Sequence, residues 1–287
     1  CSGLTELDLS NFNTSEVKGM GSMFSGCSGL TELDVTHFDT SNVTSFPQVF
    51  EVCYELEEIK GLENWNTSKG NDFSEMFSGC SSLTSITIPG NVSTIGERAF
   101  EKCSALTSVT MGEGVTSINQ YAFWRCYSLQ QVNFPDSLTV IGRYAFSECS
   151  SMKDIVFGTG LREIKEYAFE KCANLFNVEF NDGITTIGDF AFDRCQSYEI
   201  IILPASVKTI GTNAFYTAWH ILYKGAGGLS FSSVNSGAME SKSIHKNCTG
   251  NELKSSVIAP TCTAFGYTAY TCSICNDVRH NQLTDAT

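Results

Sequence analysis

Thirteen of the 287 residues are cysteine, and no other side chains here have wider chemical scope. A deprotonated thiol can act as a nucleophile, a redox partner or a soft metal ligand. Nine of the thirteen keep a period. Cys1, Cys27, Cys53 and Cys80 lie 26, 26 and 27 residues apart, and Cys103, Cys126, Cys149, Cys172 and Cys195 follow at steps of 23. Such a period points to one small slot in a repeated unit, filled by a buried thiol behaving as a small hydrophobe. Ala218 takes the next slot of the 23-residue register, which fits a demand for space and not for bonding. Side chains projecting in parallel also suit a disulfide badly. These nine are assigned no redox or nucleophilic role.

Cys248, Cys262, Cys272 and Cys275 leave the period, and the last pair reads Cys-Ser-Ile-Cys. Thiols two residues apart plus further cysteines form a zinc-ligand pattern, with His245 or His280 able to replace a missing ligand. Two disulfides in any of three pairings, or four unliganded thiols, fit the same residues. A redox-active pair fits least, because it wants a helix N-terminus and the surrounding sequence reads as strand then turn.

Two other columns carry chemistry. Glu6, Glu32 and Glu58 repeat at the period, with Asp8 and Asp34 beside them until Lys60 interrupts. Stacked carboxylates are either solvated charge or a weak Ca²⁺ site, although no EF-hand loop is present. Tyr121, Tyr144, Tyr167 and Phe190 each precede a repeated phenylalanine by two residues. Such a column either pads a corner of the coil or stacks on sugar rings. His37 and His220 have no partner in register that would make either a base, and nothing sets a base against a nucleophile.

The elements that position these residues follow from the period. The third residue after each cysteine is Leu83, Leu106, Leu129, Met152, Leu175 and Tyr198, and the sixth is Ile86, Val109, Val132, Ile155, Val178 and Ile201. The fifteenth is always isoleucine, from Ile95 to Ile210, and an Ala-Phe pair closes each unit from Ala99-Phe100 to Ala214-Phe215. One unit is too thin to bury its own apolar side, so copies must stack. The leucine-to-β-branched stretch predicts a short strand, turned off by Pro89, Gly112, Pro135, Gly158 or Pro204. The Ala-Phe segment predicts a helical or 3-10 turn. The fold expected is an α/β solenoid with a parallel β-sheet face and short helical or 3-10 turns. Nine or ten coils at ~4.8 Å make a body of roughly 45 Å. The first three units are longer, with Phe12, Phe38 and Trp65 each followed by an Asx-Thr-Ser turn.

Composition closes several classes. With 42% hydrophobic and 17% charged residues the chain has the makings of a core. A net charge of -13 argues against nucleic acid and against anionic membranes. No stretch approaches 18 apolar residues, so no transmembrane segment is expected. Cys1 falls in the middle of a repeat, which is expected of an excised or processed fragment. Asn-x-Ser/Thr sites at Asn13, Asn42 and Asn66 arise from the turn of the longer unit.

From Pro89 to Phe215 the pattern, read as LxxVxxPxxVxxIGxxAFxxC, resembles the leucine-rich repeats of the Bacteroides surface protein A (BspA-like) family. Residues 4 to 80 resemble a companion module of about 26 residues marked by NTSxVxxMxxMFxGCxxL. The segment containing Cys262, Cys272 and Cys275 resembles small modules that follow these repeats in gut-bacterial surface proteins, with Asn276 in place of their usual glycine. The resemblance implies a leucine-rich-repeat solenoid that is secreted or on a bacterial cell surface. It also implies adhesion to host matrix proteins, neighbouring-cell surface proteins or glycans.

Four parts are expected: 26-residue repeats over 1–80, 23-residue repeats over 81–225, a cap or linker over 226–244, and a small Cys-rich module over 245–287. The outward positions of the sheet are mixed polar, and Val156, Phe176, Ile200 and Ile202 form an apolar candidate patch among them. The tail after Ala218 folding back over this patch is the plain alternative. The function expected is non-catalytic recognition through the solenoid face, with Tyr121, Tyr144 and Tyr167 as a second candidate surface. A structural spacer is the alternative, and an enzyme would need a concave pocket joining carboxylates from separate coils.

Overall fold

The computed structural model describes residues 1–70, 72–196, 200–217, 220–224, 230–231, 243–246, 253–258, 266–272 and 278–284. Successive copies of the repeat wind into stacked coils, each contributing a short strand where leucine and β-branched residues alternate with polar ones. These strands are Glu32–Asp34, Glu58–Lys60, Ser85–Ile88, Ser108–Met111, Gln131–Val132, Asp154–Val156, Asn177–Glu179, Ile200–Leu203, His220–Tyr223 and Ser243–Lys246. Where they pair they are parallel and in the register of the repeat, as in Glu32↔Glu58, Val109↔Val132 and Ile155↔Val178. The pairing is interrupted, so the face is a series of short sheets. Among the described residues no ladder joins Glu58–Lys60 to Ser85–Ile88, or Gln131–Val132 to Asp154–Val156.

A second ladder is unbroken. Thr94–Ile95, Ser117–Ile118, Val140–Ile141, Glu163–Ile164, Thr186–Ile187, Thr209–Ile210 and Ser230–Phe231 form one seven-stranded parallel sheet. Its isoleucines are buried, as are Leu106, Leu129 and Leu175, which line one internal row. The segment expected as cap or linker thus supplies Ser230–Phe231 to this ladder, and Ser243–Lys246 pairs with His220–Tyr223. Leu253–Ile258, Gly266–Cys272 and Val278–Thr284 form a separate antiparallel sheet.

The corner carrying the Ala-Phe pair is where the helical expectation changes. Among the described residues the structure has no α-helix and one 3-10 helix, Leu62–Asn64. The corner is instead a run of turns that use alternate amides in two ways. Ala122, Trp124 and Cys126 donate three residues back within their own coil, while Tyr121, Phe123 and Arg125 donate to carbonyls of the next coil. Left-handed residues at Tyr121 (φ 57°) and Arg125 (φ 62°) let the amides alternate in direction, and the same two columns recur coil after coil. A helix would spend every amide inside its own coil. The corner here splits them between closing one coil and joining the next.

Inside the corner runs a spine of phenylalanines. Phe24, Phe50, Phe77, Phe100, Phe123, Phe146, Phe169, Phe192 and Phe215 stack in sequence at 4.9–5.6 Å, with planes within 12° of parallel. The spine crosses from the long coils to the short ones without a break.

Candidate interaction surface

Beside the spine lies the cysteine slot. Cys27 to Cys195 are free and buried in the interior, and Cys1 is exposed on the first coil. Each thiol from Cys53 to Cys195 donates to the phenylalanine carbonyl of the preceding coil, as in Cys126 Sγ to Phe100 O at 3.1 Å. That carbonyl already accepts an amide within its own coil, so the thiol fills the second lone pair. Burial pushes the Cys53 thiol up to about 11 and those of Cys80, Cys103, Cys126 and Cys172 well above their ordinary value. A thiol held protonated is neither nucleophile nor metal ligand, so the slot is structural.

The acidic column is in register, with Glu32 opposite Glu58. Lys60 answers it: Nζ lies 2.9 Å from Glu32 and 3.9 Å from Glu58, and the hydrogen bond to Glu32 raises the lysine pKa. Asp8 accepts the backbone amide of Ser10, and Asp34 is met by the side chain and then the backbone amide of Thr36, which lowers their carboxyl pKa values. Their oxygens close Asx turns. Among the described residues no group of three or more His, Cys, Asp or Glu is placed to hold a metal ion. Of the cysteines expected as zinc ligands, Cys272 ends a strand, whereas Cys248, Cys262 and Cys275 lie outside the described residues.

Tyr121, Tyr144, Tyr167 and Phe190 form a half-buried stack at 4.7–5.1 Å, with planes within 9° of parallel. The rings therefore spend their faces on one another and turn edges to solvent. Arg98 lies over Tyr121 at 5.3 Å, and Arg143 over Tyr144 at 5.2 Å. Each of the four is also left-handed, a conformation that costs a bulky residue about 1 kcal/mol or more. The inter-coil amide bond made there offsets that cost.

On the sheet face the apolar side chains stand out. Val156 is 60% exposed, Phe176 51% and Ile202 40%. The register separates the first two, however: Asp154 pairs with Asn177, which sets Val156 against Glu179 and Phe176 beside Lys153. Ile200 begins the next strand and pairs with His220. Where the sheet opens between Gln131–Val132 and Asp154–Val156, a shallow groove of about 580 Å³ is lined by Thr110, Gln130, Gln131, Asn133, Asp154 and Val156. Asn133 shapes its edge: its side chain accepts from the Met111 amide at 2.6 Å and donates to the Met111 carbonyl at 3.0 Å. A side chain thus takes the bonds that the next strand residue would make. Of these residues only Val156 stands out in the sequence, and no spacing reveals the groove.

A second opening, unforeseen in the sequence, lies where long coils meet short ones. Its groove of about 420 Å³ is lined by Glu57, Glu58, Glu63, Leu62, Ser85 and Ile86 among others. Adjoining it is a mainly apolar pocket of about 40 Å³, which shares Leu62 and Ile86 and is also lined by Trp65, Thr67 and Thr94. Trp65 is 2% exposed and its Nε1 has no hydrogen-bond partner, an omission that costs about 1–3 kcal/mol. The signal in the sequence was the change of cysteine spacing at Cys80.

Comparison with known proteins agrees with this architecture. Residues 73–180 and 150–275 match the BspA type leucine rich repeat region, in six copies. Residues 2–109 match a Mycoplasma protein family of unknown function. No curated protein matches the chain. A leucine-rich repeat protein of Bacteroides ovatus is 30% identical with a TM-score of 0.61, over 82% of this chain and 57% of its own length. This chain therefore spans little more than half of that protein. A leucine-rich repeat protein of Eubacterium ventriosum is 19% identical with a TM-score of 0.44, over 66% of this chain and 63% of its own. The repeats, their stacked geometry and the matched residues together place the chain in the BspA-type leucine-rich-repeat family.

Proposed function

We propose that the chain is a non-catalytic recognition module, outside the cell or on its surface, that binds a protein or glycan through the sheet face. The carrying observation is the exposure of Val156, Phe176 and Ile202 on a face whose other outward residues are polar. Large side chains held in water by a rigid scaffold are what an interface core is made from. The groove beside Val156, with Gln130, Gln131 and Asn133, adds hydrogen-bonding groups at its margin. Host matrix proteins, neighbouring-cell proteins and their glycans are the partners this reading favours. The stacked tyrosines support it less, since sugar recognition uses ring faces and theirs are occupied.

The test is a binding screen of the chain against extracellular-matrix proteins and a glycan array, repeated with Phe176→Ser and Val156→Ser. Loss of a bound partner by tenfold or more, with the urea midpoint unchanged, is expected. Retained binding in both variants would move the site elsewhere. If the screen finds no partner at all, the chain is better read as a spacer.

A further inference from the structure

The negative charge of the chain is uneven along it. Residues 1–92 hold 13 acidic and 3 basic side chains, whereas residues 93–287 hold 18 and 15. In the short coils, the corner turns 96–103, 119–126 and 142–149 carry Arg98, Lys102, Arg125 and Arg143 against Glu97, Glu101 and Glu148. The two signs are layered. The Glu101 and Glu148 side chains are only 10% and 19% exposed, while those of Arg98, Lys102 and Arg125 are 38–54% exposed. Glu97 is half-buried and lines a neighbouring groove with Asn119 and Lys165. Arg143 is exposed and forms no ion pair among the described residues. An acidic chain thus presents cations on this corner and keeps the carboxylates behind them.

Each guanidinium is also seated on a ring. Arg98 lies over Tyr121 at 5.3 Å, Arg125 over Trp124 at 4.2 Å, and Arg143 over Tyr144 at 5.2 Å and Tyr167 at 5.8 Å. Lys102 Nζ adds a fourth cation, 5.6 Å from the Trp124 ring. A ring beneath a guanidinium restrains it without occupying its N–H fork, so less order remains to be imposed when a ligand arrives. The coil does not require an indole at Trp124, because the same column reads Glu101, Ser147, Glu170 and Asp193 elsewhere.

We propose that this corner binds an anionic polysaccharide, whose sulfate or carboxylate groups are received by Arg98, Arg125 and Arg143 on three successive coils. A guanidinium fork meets such an oxyanion with two N–H groups at once. The ring faces already hold the arginines, so the sugar is recognised by its charge and not by stacking. An acidic protein fits less well. A protein interface needs apolar surface at its centre, and among the described residues Tyr127 is the one large hydrophobic side chain exposed beside these turns. This corner is distinct from the Phe176 patch, and either surface can fail alone.

The test titrates the whole chain with a heparin octasaccharide, which carries sulfate and carboxylate, and with a hyaluronate octasaccharide, which carries carboxylate alone. Saturable binding of at least one is expected, and the pair shows which oxyanion the corner receives. The triple substitution Arg98→Gln, Arg125→Gln, Arg143→Gln should weaken binding by about tenfold or more, and 0.5 M salt should do likewise. Arg143→Gln alone strands no carboxylate, so it keeps the test open should the triple variant fold poorly, and it should weaken binding by about threefold. The comparison variant Lys18→Gln, Lys69→Gln, Lys224→Gln removes the same charge at exposed positions elsewhere and should leave affinity within about twofold. Binding of neither octasaccharide at millimolar concentration, unchanged affinity in the Arg143 variant, or an equal loss in the lysine variant would each overturn the proposal. So would tighter binding of an octaglutamate peptide than of either saccharide, because the partner would then be an acidic protein.

Discussion

The long coils before Cys80 and the short coils after it share a phenylalanine spine and a cysteine slot but knit their remaining edge differently. In the short coils a Thr-Ile or similar pair supplies a two-residue strand, and seven of these make one continuous ladder. In the long coils isolated backbone bonds, such as Thr44 N to Lys18 O at 2.9 Å, are joined by buried threonines of the Asx-Thr-Ser turn. Thr14 Oγ1 donates to Asp39 O at 3.1 Å, Thr40 Oγ1 to Asn66 O at 3.2 Å, and Thr40 Oγ1 accepts from the Asn66 amide at 2.7 Å. Backbone ladders need the same number of residues in every coil, whereas a side-chain hydroxyl tolerates a longer path. Two coils of unequal length can therefore share a core and still fail to pair their strands. Pairing lapses at Glu58–Ser85, where the lengths differ, and also between Val132 and Asp154, where they are equal, so unequal length is one setting for a lapse and not the only one.

The strongest way to break this comparison is alkaline titration. Cys53, Cys80, Cys103, Cys126, Cys149 and Cys172 are all held protonated by burial, against an ordinary value of 9.0. An acid whose folded pKa is raised contributes stability below its unfolded pKa and loses it as pH climbs above that value. Each thiol removes up to about 1.4 kcal/mol per pH unit, so the six together remove up to roughly 8 kcal/mol per unit above pH 9. Stability measured in urea should be level from pH 7 to 8.5 and collapse between pH 9 and 11. Five of the six lie from Cys80 onward. In single-tryptophan chains Trp124, among the short coils, should therefore report unfolding at lower pH than Trp65. The same midpoint for both would show one cooperative body, and stability level to pH 11 would contradict the buried slot.

A smaller effect sharpens the account of the shared spine. Phe146 is fully buried between Phe123 and Phe169, so Phe146→Ala should cost about 3–5 kcal/mol by chemical denaturation. Phe24 has a spine neighbour on one side only, and Phe24→Ala should cost roughly 2 kcal/mol. Equal costs would mean that the spine does not add coil by coil. The smallest effect concerns Lys60. Lys60→Met should change stability by less than about 1 kcal/mol, since the pairs with Glu32 and Glu58 are exposed. It should also leave the glutamate column uncompensated, and calorimetry with Ca²⁺ checks the result. Millimolar binding that appears only in the variant would show that Lys60 occupies the place of a cation, and absence of binding in both would end the calcium reading.

Much of this was legible because a solenoid makes tertiary contacts periodic in sequence. Leu106, Leu129, Met152 and Leu175 could be aligned on paper because they recur one period apart, and all four are buried. The corner was less legible. Ala-Phe followed by charged residues has the composition of a helical turn, and only the inter-coil amide bonds reveal why Tyr121 and Arg125 turn left-handed. The tyrosine column was visible as a column, but whether its rings show faces or edges depends on side-chain rotation, which spacing does not encode. The apolar patch was named residue by residue, and the strand register then set Val156 against Glu179.

By itself the sequence determined the repeat, its two lengths, the residues that face inward and the slot that only a small side chain fills. Each of these depends on one coil meeting a copy of itself, so the information is written once per period. Tertiary structure alone decided where strand pairing lapses and which donor is left without a partner. Those features depend on how one coil meets the next, and no single repeat contains that.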